Sequence, residues 1–456
     1  MKKIKKKNRV IFCICLVVLI IIIIAIFCYI KFLLPPTPTI KKISVDDNNN
    51  LKIEYNVSNV NKNNKVYYLF SYEDKMPEVN DSNWKLSTSN EIVASLNDVS
   101  EYYAYLKNEN NKIIRVSYVE LAKVNEVKIN KEKVYIAIKG KYTVKAEVDS
   151  VGIVDNTISW YSDDESIATV DENGVITCVK KGETKVHAKI SDIEDVVDVL
   201  VTDLITVAPK NFNNNKPYLP CGRYNKEEND LLDEILRDRI EDAGGKGTRA
   251  AVVEVARFIT LEFPYRIRYF SENGRLTING VDGEGRYYHE GLYLDESRYA
   301  NITGKKSSGP KTWGCSMYCR PSHGNRPNGL DCSGFVSWVL LNGGFDVGDV
   351  GAGLTAGKTD LTDYGIRTKF SLEIVKSGKV KVGDLLSSGG VGGGHIALIA
   401  GEDDNYYYVA ESLWTPPNVA VIIKPYSKKD LFIRYYYVMY MDSYYKKDGN
   451  LTKLWY

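Results

Sequence analysis

The sequence has almost no net charge of either sign. Its 60 lysines and arginines are matched by 58 aspartates and glutamates, which gives a formal charge of +2 over 456 residues. Proteins that bind nucleic acid or another polyanion usually carry a clear basic excess, so this composition argues against such a partner. Histidine is also scarce, with four in the whole chain, so there are few candidates for a histidine base.

One stretch lacks charge almost completely. Residues 10–34 contain no Asp, Glu, Lys or Arg except Lys31, and they follow a basic tail at residues 1–9. At about 1.5 Å per residue, a helix of this length reaches across a hydrocarbon core of about 30 Å. No small-x-small cleavage site precedes Pro35, so we expect an uncleaved single-pass anchor in the cell membrane, with the tail cytoplasmic and the later domains extracellular. A cleaved signal peptide is the alternative.

Cysteine is uncommon beyond this stretch. Five of the eight follow it, namely Cys178, Cys221, Cys315, Cys319 and Cys332. Exported cysteines tend to pair, and an odd number leaves at least one thiol free, which a nucleophile would explain. We expect a disulfide among Cys221, Cys315 and Cys319. The alternative is a zinc site in which His323 joins Cys315, Cys319 and Cys332, but its spacing is loose and its setting exported. We therefore predict no metal and no cofactor.

The chain after the anchor begins with two β-rich units. Residues 39–123 alternate apolar and polar side chains between Asn- and Asp-rich turns, which predicts an immunoglobulin- or fibronectin-like sandwich that acts as a spacer. Residues 125–203 form a second all-β unit, in which Asn173-Gly174 marks a hairpin turn and Trp160 supplies a large core aromatic. Residues 160–177 closely resemble the group-two bacterial immunoglobulin-like domains of surface proteins.

The pattern changes to helical spacing beyond Pro209. Apolar residues recur at helical intervals around residues 229–240 and again around residues 251–259, which predicts two packing helices. Residues 271–330 show little periodicity and suggest a substrate-facing loop system. We place one further α+β domain at residues 206–456, with a helical and loop extension over 206–304 and a catalytic core over 305–445.

The residues around Cys332 point most directly to chemistry. Asp331 is a good helix N-cap, and apolar residues follow Cys332 at i+3, i+4, i+7 and i+8, so the thiol should lie in the first turn of a packed helix. Unpaired backbone N–H groups at a helix start favour a thiolate. Such a thiol needs a base on a strand that packs against the helix, and His395, at the start of an apolar strand, is the good candidate downstream. A free core cysteine is the alternative.

Strands predicted after this helix would form an antiparallel sheet. They lie at residues 382–386, 395–400, 406–412, 419–423 and 433–441. A thiol-bearing helix packed on a histidine-bearing sheet is the papain-like arrangement. Residues 328–336, Gly383-Asp384-Leu385 and residues 395–399 resemble the three signature blocks of the NlpC/p-sixty cysteine peptidases, which cleave bacterial cell-wall peptides, and residues 310–314 resemble an upstream block of that family.

The resemblance implies a role for each matching residue. Cys332 would be the nucleophile and His395 the base that takes its proton and later protonates the leaving amine. A third residue orients the imidazole, and residues 406–412 offer Glu411, with Ser412 or a backbone carbonyl as alternatives.

The remaining site residues come from the same blocks. The backbone N–H of Cys332 and a neighbour, Ser333, would hold the oxyanion. Asp331 is expected to cap the helix and is also a candidate for binding the substrate's amine, while Trp313 would contact substrate. Lys311 stands where the family has tyrosine and Cys315 where it has glycine, so the usual wall of the cleft differs here.

These features predict a membrane-anchored, extracytoplasmic cysteine peptidase acting on the stem peptides of peptidoglycan. The resemblance implies the D-glutamyl–diamino acid bond as its target, with peptidoglycan and the membrane as partners. A thiol amidase or acyltransferase on the same fold is one alternative. A non-catalytic surface adhesin or assembly scaffold is another; it suits the two sandwiches but leaves Cys332, His395 and the cap at Asp331 unexplained.

Overall fold

The structure is a computed structural model of the chain. It describes residues 17–26, 37–45, 50–58, 65–71, 75–88, 91–95, 101–108, 113–120, 123–151, 157–211, 214–271, 289–295, 297, 312–320, 324–348, 366–389 and 394–456. No helix in these segments has both the length and the apolar character needed to cross a membrane. Of the predicted anchor at residues 10–34, the described residues include only 17–26, which are helical.

The first β-unit consists of two antiparallel sheets. Its strands are β1 (Thr37–Val45), β2 (Asn50–Ser58), β3 (Val66–Ser71), β4 (Lys85–Leu86), β5 (Glu91–Ser95), β6 (Glu101–Asn108) and β7 (Ile113–Glu120). They pair in the orders β1-β2-β5 and β4-β3-β6-β7. Ile53, Tyr55, Leu69 and Tyr105 are buried between them, as the alternation of apolar and polar residues predicts.

The second β-unit has nine strands. They are β8 (Lys123–Ile129), β9 (Lys133–Ala137), β10 (Lys141–Thr143), β11 (Ala146–Val151), β12 (Ser159–Ser162), β13 (Ala168–Val170), β14 (Val175–Cys178), β15 (Gly182–Ile190) and β16 (Ile193–Thr202). The largest sheet has the order β12-β15-β16-β9. Gly174 has φ +74°, and a Cβ there would lie 2.5 Å from the Val144 carbonyl oxygen, so the predicted hairpin turn requires glycine. Trp160 is half-buried and packs against the core beside this turn.

The third unit combines helices with a six-stranded antiparallel sheet. The helices are α1 (Lys226–Asp242), α2 (Arg249–Arg257), which continues into a π-helical turn at Phe258–Glu262, α3 (Cys332–Asn342), α4 (Leu372–Lys376) and α5 (Leu431–Arg434). The strands are β17 (Ser316–Arg320), β18 (Gly324–Pro327), β19 (Ile366–Lys369), β20 (Leu385–Ser387), β21 (Ile396–Glu402), β22 (Tyr406–Ser412), β23 (Val421–Ser427) and β24 (Tyr437–Tyr440). The sheet order is β19-β24-β20-β21-β22-β23.

The two predicted packing helices are confirmed as α1 and α2. A capping box begins α1, because the Asn225 side chain accepts from the Glu228 N–H while the Glu228 carboxylate accepts from the Asn225 N–H. The predicted strand at 433–441 is wrong over its first part, where the chain forms α5 before β24. The β17–β18 hairpin and β19 were not predicted, and most of residues 271–311 lies outside the described residues.

Helix α3 is buried on nearly all sides. It packs against α2 on one side and β21 on the other, and every residue from Cys332 to Leu340 is buried. A helix that is apolar all round belongs in the interior of a unit. The sequence pattern predicted a single buried face, so the observed burial is more complete than expected and fixes the helix start firmly against the sheet.

A buried arginine joins α2 to the sheet. The Arg249 side chain is 0 % exposed and donates through Nη1 to Asp384 Oδ1 at 3.0 Å and to the Val382 carbonyl oxygen at 3.1 Å. Its Nε donates to Asp448 Oδ1 at 3.1 Å, and its Nη2 donates to Asp442. A guanidinium removed from water needs such partners, so this cluster is a structural joint between helix and sheet.

The Gly383-Asp384-Leu385 block therefore lies at this joint. Asp384 also accepts from the backbone N–H groups of Lys381 at 2.9 Å and Met441 at 3.0 Å. Gly383 has φ +94°, and a Cβ there would lie 2.7 Å from the Arg249 side chain. The block holds the sheet on α2.

Replacing Arg249 by methionine should lower the free energy of unfolding by about 3–5 kcal/mol, because Asp384 would remain buried without its cation. Urea unfolding of the whole chain measures this. Arg237, an exposed arginine on α1, provides the control, since Arg237→Met should change the free energy of unfolding by less than about 0.5 kcal/mol. Equal effects of the two substitutions would contradict the structural role of the cluster.

Candidate functional site

Cys332 is the first residue of α3. The capping Asp331 side chain accepts from the Gly334 N–H at 2.7 Å and from the Ser333 hydroxyl at 3.2 Å. Cys332 is a free thiol, and it is 7 % exposed. The sulfur therefore lies at the positive end of the helix dipole. The structure places Asp331 in the capping role that was expected of it.

The His395 ring lies between the thiol and a carboxylate. His395 directly precedes β21, and its backbone N–H donates to the Ser388 hydroxyl at 2.8 Å. The Cys332 side chain lies close enough to the ring to raise its pKa, and Nε2 of the ring lies 2.7 Å from Glu411 Oε2. The three predicted residues thus meet in the order thiol, imidazole, carboxylate, which is the order that nucleophile activation requires.

Glu411 is a fully buried carboxylate, 0 % exposed. Besides His395 it accepts from the hydroxyls of Tyr426 at 2.5 Å and Tyr435 at 2.7 Å, and Arg434 Nη2 lies 3.4 Å away. Its oxygens are therefore satisfied on several sides, as a buried charge requires. The bonds from Tyr426 and Tyr435 fix the position of the carboxylate. The carboxylate in turn holds the imidazole in one orientation.

Ser412, the alternative orienting residue, points elsewhere. Its hydroxyl donates to the Leu330 carbonyl oxygen at 2.8 Å. This bond ties the end of β22 to the segment that leads into Cys332. Ser412 thus helps to position the thiol helix against the sheet, while the structure gives Glu411 the contact with the ring.

The charges of the site reinforce one another. Burial acts to lower the pKa of His395, but its hydrogen bonds to Cys332 and Glu411 outweigh this and raise the pKa to about 9. Burial acts to raise the pKa of Glu411, but His395 and the two tyrosines hold that pKa below its usual value. At neutral pH the site accordingly contains an imidazolium between the thiol and a carboxylate. An imidazolium stabilises a neighbouring thiolate and can protonate a leaving amine.

The other predicted site residues lie in two different environments. Ser333 is buried directly after Cys332, in the first turn of α3. Trp313 is only 1 % exposed and packs edge-on against Trp338 of α3, with 5.7 Å between ring centroids. Trp313 therefore belongs to the core beside α3, and its ring has almost no exposed surface for the expected contact with substrate.

Sequence reasoning missed the partners of Glu411. Tyr426 lies on β23 and Tyr435 follows α5, and their ring centroids are 6.1 Å apart at nearly right angles. The available signal was a lone acidic residue on an otherwise apolar strand next to tyrosine-rich segments, but the pairing depends on contacts between distant parts of the chain.

The predicted disulfide joins Cys221 to Cys315, 94 residues apart in sequence. Cys315 is thus unavailable as a zinc ligand, which contradicts the zinc alternative. The side chains of Cys319 and His323 lie outside the described residues. Within the described segments, no cluster of three or more His, Cys, Asp or Glu could hold a metal ion.

Comparison with known proteins identifies one part of the chain. Residues 123–199 match the bacterial Ig-like domain, group 2. The second β-unit is such a domain. The chain is also 39 % identical over 79 residues to the polysaccharide lyase 8 family protein HylA of Enterococcus faecalis strain ATCC 700802 / V583, an alignment that spans 16 % of this chain and 6 % of that protein.

Two solved structures share a weak similarity with parts of the chain. Domains 4 and 5 of the S-layer protein SbsC are 21 % identical with a TM-score of 0.18, covering 24 % of this chain and 69 % of that one. An intimin mutant of EHEC O157:H7 is 21 % identical with a TM-score of 0.16, covering 25 % and 68 %.

Glu411→Gln should lower the pKa of His395 from about 9 towards its ordinary value, because the substitution removes the negative charge that favours the imidazolium. The ring should therefore lose its proton at a lower pH than in the wild type. Any activity that needs the protonated ring should then begin to fall at a lower pH on the alkaline side of its pH profile. With four histidines in the chain, NMR titration of labelled histidine, assigned with His395→Asn, measures the pKa directly. Glu402→Gln, which removes a glutamate paired with Lys428, is the matched control. An unchanged His395 pKa in Glu411→Gln would contradict this account.

Replacing both Cys221 and Cys315 by serine should lower the free energy of unfolding by about 2–5 kcal/mol, because the disulfide closes a long loop. Chemical denaturation gives the value. Reductant should lower the free energy of unfolding of the wild type by the same amount. It should not lower that of the double variant any further. Cys178→Ser, which removes a free thiol, should leave the response to reductant unchanged. A wild type insensitive to reductant would count against a stabilising bond.

Proposed function

We propose that this chain is an extracytoplasmic cysteine peptidase that hydrolyses amide bonds in the stem peptides of peptidoglycan. The observation that carries the proposal is the His395 imidazole, whose Nε2 lies 2.7 Å from the buried Glu411 carboxylate and whose pKa the Cys332 side chain helps to raise. A thiol at a helix start facing a histidine on an antiparallel sheet is the papain-like arrangement. Cys332 and His395 also lie in the blocks that resemble the NlpC/p-sixty peptidases.

The reaction follows from the charges of these groups. The Cys332 thiolate attacks the amide carbon, and the oxyanion that forms is held by the backbone N–H groups of Cys332 and Ser333. His395 donates its proton to the amine, which leaves as the thioester forms. His395, now neutral, takes a proton from water as the hydroxide adds to the thioester carbon, and collapse releases the acid and restores the thiolate and imidazolium.

Glu411 acts by positioning and by charge. Its bond to Nε2 keeps the imidazole facing the sulfur, and its negative charge stabilises the imidazolium in each half of the cycle. Its contacts with Tyr426 and Tyr435 keep it from rotating towards solvent. We assign no proton transfer to this carboxylate, because its pKa is lowered.

The substrate and the location are parts of the same proposal. The bond between D-glutamate and the diamino acid is the one that the NlpC/p-sixty resemblance suggests. A bacterial Ig-like domain at residues 123–199 suits a protein that works at the cell surface. In this proposal residues 10–34 hold the chain in the membrane, and the two β-units set the distance between the membrane and the catalytic unit.

Whole chain incubated with purified peptidoglycan should release stem-peptide fragments with new amino and carboxyl ends, identified by mass spectrometry. Cys332→Ala should reduce release at least 1,000-fold, because loss of the nucleophile removes covalent catalysis. Cys178→Ala removes a free thiol in the second β-unit and should change nothing.

Fragment release that persists in Cys332→Ala would eliminate this nucleophile. Fragments cut between sugar and peptide would assign an amidase, and transfer of the acyl group to an added amine would assign a transferase. If the wild type released nothing from walls of several chemistries, the peptidase proposal would fail and a binding scaffold would remain.

A further inference from the structure

Two arginines near the thiol helix share one aromatic ring. The guanidinium carbon of Arg268 lies 3.7 Å from the centroid of the Tyr218 ring, and that of Arg266 lies 4.1 Å from the same centroid. The two guanidinium carbons are therefore no farther apart than the sum of these two distances. Charges of like sign this close repel one another unless something of opposite sign lies between or beside them.

These two arginines lack acidic partners among the described residues. Neither forms an ion pair there, and the Arg266 Nε is a buried donor with no hydrogen-bond partner. Two buried arginines of the same unit do have acidic partners: Arg239 contacts Glu262, and Arg249 contacts Asp384. Because Arg266 and Arg268 differ from these two, the pair on Tyr218 calls for a different explanation.

The backbone places this pair beside the nucleophile. The Leu330 N–H, two residues before Cys332, donates to the Arg268 carbonyl oxygen at 3.0 Å. A Cβ at Gly329 would lie 1.7 Å from that oxygen, so glycine is what allows the two segments to approach. On the other side, the Val421 N–H donates to the Ile267 carbonyl oxygen at 2.8 Å. The arginine segment thus lies between the entry to α3 and the start of β23.

The shared ring also belongs to the side of the sheet that carries the site. Tyr218 packs against Leu413, Ala420 and Ile422. Ile422 is directly opposite Glu411 in the β22–β23 register, and residues opposite each other in antiparallel strands project to the same face. Tyr218 therefore supports the arginines on the face where Glu411 meets His395.

The chemistry of stacked guanidinium groups indicates what they bind. A guanidinium that stacks on an aromatic ring uses its flat face, and its N–H edge remains free to form two parallel bonds with a carboxylate or phosphate. Nearby, Trp414 is 45 % exposed and contacts Tyr269 edge-on, with 5.2 Å between centroids. A cationic edge next to an exposed indole suits a peptide that carries an anionic group.

We propose that Arg266 and Arg268 form a subsite for a free carboxylate of the peptide substrate, close to the bond that is cut. This inference rests on the proposed peptidase function and specifies its substrate as an acidic stem peptide. A phosphate of another wall polymer has similar bonding geometry. The position beside Cys332 favours a group on the cleaved peptide itself.

The test compares two synthetic stem peptides that differ only in whether the carboxyl group beside the scissile bond is a carboxylate or a carboxamide. The wild type should cleave the acid with a kcat/KM about 10- to 100-fold above that of the amide, the range expected for charge-assisted hydrogen bonds. In the double variant with Arg266→Gln and Arg268→Gln, kcat/KM for the acid peptide should fall to the value for the amide peptide. Arg268→Lys should keep part of the preference for the acid peptide. Because both peptides are measured on each variant, a general loss of folding would lower both rates and leave their ratio unchanged.

Arg367→Gln is the matched control. Arg367 stacks on Tyr437 at 3.9 Å, on β19 at the far edge of the sheet, so its loss should leave the acid-to-amide ratio unchanged. A wild type that cleaves both peptides equally, or a double variant that keeps the full preference, would overturn the subsite.

A binding measurement separates this proposal from the peptidase assignment. Calorimetry with Cys332→Ala should show 10- to 100-fold tighter binding of the acid peptide than of the amide, whether or not the wild type cleaves either one. Binding preference without cleavage would keep the subsite and reject the peptidase. Equal affinities for the two peptides would reject the subsite, as would tight binding of glycerol phosphate with no discrimination between the peptides.

Discussion

The buried carboxylate of Glu411 is the constraint on which the site depends. Moving an ionised carboxylate out of water costs several kcal/mol unless its oxygens are bonded, so the fold must bring partners to it from several places. They come from the start of β21, from β23 and from the turn after α5, as His395, Tyr426 and Tyr435. Because these segments are separate elements of the unit, the carboxylate can be satisfied only when this end of the sheet is assembled. The same bonds that make burial tolerable also fix the imidazole against the thiol.

A second buried acid, Asp384, has a structural role at the joint between α2 and the sheet. Asp384 belongs to a block that resembles a family signature, yet it bonds Arg249 and backbone N–H groups at the α2 joint. All three of these bonds belong to the joint, and His395 is not among the partners of Asp384. Two buried acids of the same sheet thus have opposite roles, and the difference lies in their partners: a guanidinium fixes charge permanently, whereas an imidazole can release and recover a proton.

The parts of the site that could be predicted are those encoded locally. The cap at Asp331, the thiol in the first helical turn and the histidine before an apolar strand each depend on a few adjacent residues. Glu411 could be named because it is the acidic residue on a strand that should lie next to His395. The hydroxyls around Glu411, the arginines that share Tyr218, the Cys221–Cys315 pairing and the burial of Trp313 all depend on contacts between distant segments, which periodicity does not encode. The helix α5 was missed because four residues are too few to show a helical period.

The second β-unit and the third unit share buried surface. Tyr135 of β9 lies in the same apolar core as Leu232 and Leu236 of α1, its hydroxyl donates to Glu234, and its carbonyl oxygen accepts from Arg239 Nη2 at 3.0 Å. The Tyr142 hydroxyl donates to Asp242 at 2.7 Å, and Lys131 pairs with Asp238 and Asp242. A chain cut between these units would expose that apolar surface and leave half-buried charges without partners, and both effects destabilise a fold. The immunoglobulin-like domain is therefore a structural support of the α1 side of the unit that carries Cys332, and its orientation relative to that unit is fixed by the contacts that stabilise both.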